Sequence, residues 1–384
     1  MIGQFVERNP FLLERDASSD CFCARVKETE SLCRHLANGL NTVLTGSRQI
    51  GKSTLIKHLF YQADVRRYFH CIYVDITITS SFQELVYCLV CAVIETFEWN
   101  VKALDRLVRT VKSLPFNVST DPVSGESSLW LPFDAICVPE LTLGEVFAFL
   151  DRCEKRTVIA FDEFQQITTY KEKGVEAALR SKVQLSTQIN VIFAGSDKMA
   201  LWTMFSSVRR PFYLSASFLH LEAIDRADYR TFAQTKFEAA GKCLPAERFD
   251  ALYDFCQGRT GLVERVLHQV FALTTKSETV TESHVRVAVD HWVSVLTPYY
   301  KDQLRTLTLK QKWLLLVIAT VGEAHPIQGH ALCQRFGLGT PSSVRVAKDA
   351  LVKKGLIVRN GDAWVIDDMF LGLWLKKTFP SLYL

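Results

Sequence analysis

No apolar stretch in the 384 residues approaches the ~18 needed to cross a bilayer, so no membrane span is expected. Met1 to Asn9 lack a basic segment leading into an apolar run, so no export signal is expected either. Paired cysteines are also missing. The 11 cysteines are odd in number and scattered, which points to a reducing cytoplasm rather than a disulfide framework. The one Cys-x-x-Cys, Cys88 to Cys91, sits inside the apolar segment Glu84 to Phe97 with no second Cys or His pair near it. It reads as core packing rather than a metal or redox site. Net charge is small, +4 from 45 basic and 41 acidic residues. It is uneven, however: from Lys301 onward 12 Lys/Arg face 6 Asp/Glu, so that section carries +6 and the remainder −2. The C-terminal part is therefore the candidate for an anionic partner.

What is present suits two or three globular domains, with 48% apolar and 22% charged residues. Gly46-Ser47-Arg48-Gln49-Ile50-Gly51-Lys52-Ser53-Thr54 fits G-x-x-x-x-G-K-[ST] throughout. In that pattern Gly46 and Gly51 let backbone N–H groups turn in around a polyphosphate, and the helix beginning near Lys52 adds its positive dipole end. Lys52 reaches the β and γ phosphates, and the Ser53 hydroxyl ligates Mg²⁺. The alternative is a glycine turn with no ligand. Context argues against it: Asn41 to Leu44 reads as a buried strand, and Leu55, Ile56, Leu59 and Phe60 give a helical apolar stripe.

Thr157 to Gln165 is the second decisive stretch, an apolar strand ending in Asp162 and Glu163. The strand delivers Asp162 to the Mg²⁺ shell beside Ser53, and Glu163 faces the γ phosphate, where it can orient water. Cys71 to Thr77, Asn190 to Ser196 and Phe218 to Glu222 read as further strands. Ser196 stands where a γ-phosphate sensor would, or is a plain strand-end serine. Arg209 or Arg210 could supply charge to transferred phosphate in cis or in trans; a solvated basic corner is the alternative. The expected fold is α/β, an ASCE-type P-loop NTPase core with a five-stranded parallel sheet between helices, followed by an α-helical lid and a winged-helix domain.

By position, 1–40 is an N-terminal lead-in, 41–225 the ATPase core, 226–300 the lid, and 301–384 the winged helix and tail. Within the core, 101–140 holds Pro115, Asn117, Pro122, Gly125, Pro132 and Pro139, and is expected to be an insertion with little regular structure. Arg259, near a helix start, could touch nucleotide. Winged-helix expectations are helices over 309–321, 328–336 and 341–354, then a hairpin whose Asn360-Gly361 supplies a type I′ turn. Arg345 and Lys348 are expected on an exposed helix face and Arg359 on the wing, contacting DNA phosphates or remaining a solvated protein-contact face.

These residues together resemble the archaeal-type ATPase family of prokaryotes, a STAND-like branch of the AAA+ P-loop ATPases. The resemblance rests on Asn9-Pro10-Phe11, the Phe22, Arg25, Glu28 spacing, Thr45 to Thr54, Phe161 to Gln165, and Phe193 to Ser196. It continues through Met204-Phe205, Arg210 to Tyr213, Gly355-Leu356-Ile357, Asp368-Met369-Phe370 and Trp374-Leu375. It implies ATP and Mg²⁺, with Lys52 and Ser53 in the phosphate loop, Asp162 and Glu163 as Walker B, and Ser196 as sensor. Where the family reads Gly-His-Pro after the lid glycine, this chain has Gly258-Arg259-Thr260. The expected function is an ATP-binding and ATP-hydrolysing switch, with ADP as product and a nucleotide-dependent oligomer as one form. A DNA-binding protein controlled by ATP occupancy and a nucleotide-holding scaffold without turnover are the alternatives.

Overall fold

The structure is a computed structural model, and it describes residues 9–11, 22–98, 100–120, 127–132, 134–322, 334 and 336–380. The chain divides into two units. One holds Pro10–Phe232 with Gln257–Glu264; the other holds Ala233–Cys256 and the chain from Arg265 on, with Asn9.

The first unit is built on α1 (Val26–Ala37), β1 (Thr42–Thr45), α2 (Lys52–Tyr61), α3 (Ala63–Tyr68), β2 (Phe69–Asp75), α4 (Phe82–Phe97) and α5 (Val101–Thr110). It continues through β3 (Asn117–Thr120), β4 (Ser127–Trp130), α6 (Pro139–Leu150), β5 (Arg156–Asp162), α7 (Val175–Leu185), β6 (Ile189–Gly195), α8 (Lys198–Ser206) and β7 (Ser217–His220). Five strands make one sheet in the order β2-β5-β6-β1-β7, and every pairing is parallel. A strand covered on both faces can be apolar throughout. Accordingly, every residue of β1 and β6 is buried, while the edge strand β7 alternates. One apolar layer packs Val43, Ile159 and Val191 against α4 and α6; the other packs Leu44, Val158 and Ile192 against α1 and α2. Because all five strands run the same way, β1 and β5 deliver their ends to one edge, with β6 between them.

The 101–140 segment is more regular than expected. Asn100 caps α5 through its side chain and the Ala103 N–H, and β3 pairs with β4 in an antiparallel hairpin. Leu107, Val111, Leu114, Leu131 and Ile136 belong to the main core. Of the prolines that suggested irregularity, Pro139 stands in the first turn of α6, and Pro115 and Pro132 stand in links, two residues before β3 and two after β4. Pro122 and Gly125 lie outside the described residues.

Beyond β7, α9 (Arg226–Ala239), α10 (Ala246–Phe255), α11 (Thr260–Leu273) and α12 (Glu282–Arg305) follow. A Thr281 capping box starts α12, which runs on through Pro298 and past the expected lid border at 300. The winged helix has α13 (Leu309–Val321), α14 (Pro341–Lys353), β8 (Ile357–Asn360), β9 (Ala363–Ile366) and α15 (Met369–Thr378). Apart from positions 334 and 336, the helix expected over 328–336 lies outside the described residues. Asn360 pairs with Ala363, so the hairpin loop is Gly361-Asp362, not Asn360-Gly361. Only Gly361 has positive φ, at 59°. Glycine at the first central position of a two-residue loop is the type II′ pattern, not type I′. The fully buried Tyr300 of α12 donates to Asp368 Oδ2 at 2.7 Å, while Asp368 Oδ1 caps α15.

Candidate functional site: the phosphate loop and the acidic strand end

The loop leaves β1 and enters α2 through left-handed backbone at Gln49 (φ 61°) and Gly51 (φ 98°). Such alternation turns successive N–H groups toward a concave anion site. Gly51 needs its glycine for that φ. Gly46 needs its own for space, because a Cβ there would lie 2.8 Å from the Leu221 carbonyl oxygen. Ser47, Arg48 and Gln49 are exposed, Ile50 is buried, and Ser53 and Thr54 are half-buried. The Lys52 ammonium sits inside the loop, donating to the Gly46 carbonyl at 2.9 Å and the Ser47 carbonyl at 3.0 Å. Burial lowers its pKa, with the Glu163 and Asp162 charges opposing.

Asp162 and Glu163 stand at the end of β5. The Ser53 hydroxyl donates to Asp162 Oδ2, joining the loop to the strand across 109 positions of sequence. Tyr73 of β2 donates to the same oxygen at 2.5 Å. Burial, with the Asp162 charge, pushes the Tyr73 hydroxyl above the ordinary tyrosine range, so it stays a donor. Glu163 turns left-handed (φ 57°, ψ 43°), and its Oε2 accepts from Ser196 Oγ at 2.7 Å and from Gln165 Nε2. Lys52, Ser53, Asp162, Glu163 and Ser196 are therefore brought together. Tyr73 and Gln165 join them without having been assigned a role from sequence. Tyr73 shows no signal in the sequence beyond being a polar group in an apolar strand.

The loop is braced from behind. Arg25, buried and left-handed (φ 63°), donates to the Ile50 carbonyl at 3.1 Å and pairs with Glu28 at 2.9 Å. Thr260 Oγ1 reaches the same carbonyl at 3.2 Å, and the Gly261 N–H donates to the Gln49 carbonyl at 2.8 Å. The unusual Gly258-Arg259-Thr260 thus meets the loop through Thr260 and its neighbour. Arg210 is engaged elsewhere, with Glu176 at the start of α7; Arg209 is exposed.

The donor set suits a magnesium polyphosphate. A hydroxyl and a carboxylate are hard oxygen donors that leave the remaining positions to phosphate and water, as Mg²⁺ requires. Among the described residues no cluster of three His, Cys, Asp or Glu offers another metal site.

In the winged helix, Arg345 is exposed on α14. Lys348 is not, contrary to expectation: its side chain is 14% exposed, pairs with Asp349 at 3.0 Å and lies 4.9 Å from the Trp364 ring centroid. Packing against the hairpin draws its long stem inward. Arg359 is exposed on the wing, but pairs with Asp362 at 3.0 Å.

A glycine loop after the first strand, faced across one intervening strand by a carboxylate pair, defines a P-loop ATPase fold of ASCE type. Three solved structures have this architecture along nearly their whole length. A Walker-type ATPase of Pyrococcus abyssi is 15% identical (TM-score 0.62), covering 96% of this chain and 99% of its own. The Aeropyrum pernix ORC2 protein in its ADPNP-ADP complexes is 16% identical (TM-score 0.58; 99% of each chain). The Aeropyrum pernix ORC1 protein in complex with DNA is 15% identical (TM-score 0.54; 98% of each chain). At these identities the likeness is one of fold. Residues 298–377 match the family model described as "Probable winged helix domain". The comparison with curated proteins gives no match.

Proposed function

We propose that the protein is a Mg²⁺-dependent ATPase acting as a nucleotide switch, in which contacts to the γ phosphate set the position of the winged helix. The observation carrying this reading is the hydrogen bond between Ser53 and Asp162, which closes the phosphate loop onto the acidic strand end. Lys52 binds the β and γ phosphates, and the inward N–H groups of residues 46–54 hold the chain of oxygens. Ser53 and Asp162 would hold the ion, which would supply positive charge to neutralise the phosphates. Glu163 orients a water and takes its proton as the water oxygen bonds to the γ phosphorus and ADP leaves. Ser196 contacts the same carboxylate, and the exposed Arg209 or, on release from Glu176, Arg210 is the candidate for charge delivered to the transferred group.

Replacing Glu163 by Gln should leave ATP bound and stop its hydrolysis, and Lys52→Ala should abolish binding. Equal turnover in wild type and both variants rejects the assignment.

A second reading makes duplex DNA the winged helix's partner. It draws on the exposed Arg345, the C-terminal excess of positive charge, and the shared fold of an ORC1 protein solved with DNA. Absence of salt-dependent duplex binding would exclude it and leave the winged helix as a protein contact.

A further inference from the structure

At the ends of β5 and β6 one carboxylate oxygen collects two donors. Glu163 Oε2 accepts from Ser196 Oγ at 2.7 Å and from Gln165 Nε2, and the amide lies 3.5 Å from the Ser196 hydroxyl. Several features of the chain converge on this arrangement. The left-handed turn at Glu163 starts a 3-10 turn over Phe164–Thr169, which ends the extended strand and folds side chains 163 and 165 together. Phe164 between them is fully buried, with ring centroids 4.5 Å from Phe193, 5.7 Å from Phe212 and 6.1 Å from Phe205, which pins the turn. Opposite, a Cβ at Gly195 would fall 2.0 Å from Gln165 Oε1, so glycine alone admits the amide there. That Oε1 is buried without a hydrogen-bond partner. An unpaired buried acceptor is costly, and it stays in place only when another interaction fixes the group. Reversing the amide would set its oxygen against the carboxylate, so the NH₂ must face Glu163.

We infer that Gln165 is a positioning residue for Glu163: with Ser196 it ties down Oε2 and leaves Oε1 as the oxygen that meets water, and Gly195 is glycine to make room for it. This rests on Glu163 being the water-orienting group.

The test uses the full chain, with steady-state ATP hydrolysis and binding of a fluorescent ATP analogue measured side by side. Gln165→Ala should lower kcat on the order of tenfold to a hundredfold, with KM and nucleotide affinity unchanged. Gln165→Glu keeps the length of the side chain but sets a like charge beside the carboxylate in place of a donor, so it should not restore kcat, again with nucleotide affinity unchanged. Gly195→Ala should repeat the kcat loss by displacing the amide, and the Gln165 variants carry the test if that chain does not fold. Wild-type kcat in Gln165→Ala overturns the inference, as does a parallel loss of kcat and nucleotide affinity. A wild-type chain that binds no ATP overturns the functional reading as a whole. A chain that binds ATP without turnover removes the role of Glu163 and this inference together, while nucleotide binding stands. Turnover stopped by Glu163→Gln but untouched by Gln165→Ala removes this inference alone.

Discussion

The hydroxyl of Tyr73 donates a 2.5 Å hydrogen bond to Oδ2 of Asp162, the oxygen that also accepts from Ser53. In the parallel register Tyr73 sits beside Ala160 and Asp75 beside Asp162, so the contact runs diagonally between paired strands. Two donors thereby fix the rotamer of a carboxylate that stands against the phosphate loop.

Removing one of them should loosen the ion site without unfolding the sheet. Tyr73→Phe is expected to raise the Mg²⁺ concentration for half-maximal ATP hydrolysis by about tenfold, the scale of losses when a group behind a metal ligand is removed. A Mg²⁺ titration at saturating ATP measures it, and an unchanged midpoint would show that Ser53 alone orients Asp162.

Lys52 is a buried cation held by two carbonyls, and burial disfavours its charged form. Lys52→Met removes that penalty, so its melting temperature should equal or exceed the wild-type value. Saturating ATP at 100 times Kd stabilises a binding-competent chain by about 2.7 kcal/mol. The wild type should therefore melt higher with ATP and the variant should not. An equal ATP-induced shift in both counts against Lys52 as a phosphate ligand.

Two winged-helix cations that look alike in sequence should behave differently. Arg345→Ala should lower the slope of log affinity against log salt by about one for a DNA duplex. Lys348→Ala, which breaks the contacts to Asp349 and Trp364, should act on the melting temperature and leave that slope alone. Equal slopes in both variants and the wild type would remove DNA from the reading of this face.

His70 gives a pH dependence with a definite sign. Burial, with Lys155 and Arg106 nearby, lowers its pKa below 6.5 in the folded chain. The unfolded chain then binds the proton more readily, so stability is complete above pH 6.5 and is lost as pH falls through 6.5 toward the lowered value. His220, also lowered by burial, acts with the same sign. The melting temperature should fall between pH 7.5 and 5.5, and fall less in His70→Gln. Parallel curves would mean that His70 carries no share of the acid sensitivity.

The parts of the site legible in sequence are those whose chemistry is local. Gly46 to Thr54 is a contiguous pattern, and the apolar run before Asp162 and Glu163 announces a covered strand by itself. Segment 101–140 misleads because prolines at element borders look, in sequence, like breaks within elements. Asn360-Gly361 misleads for a related reason: which two residues form a hairpin loop depends on strand register, and β8 pairs one residue further than the dipeptide suggests.

Composition and order of residues were enough to determine the nucleotide-type loop, the acidic strand end, the alternation of strands and helices, and the C-terminal hairpin. Each follows from neighbours in the chain obeying backbone and hydrophobic periodicity. Only the tertiary structure decided that Tyr73 and Gln165 serve Asp162 and Glu163, that Arg25 and Thr260 share the Ile50 carbonyl, and that Lys348 and Arg210 are held by carboxylates. Those are contacts between side chains aimed by separate elements, and no local pattern records where a distant strand end or helix start will point.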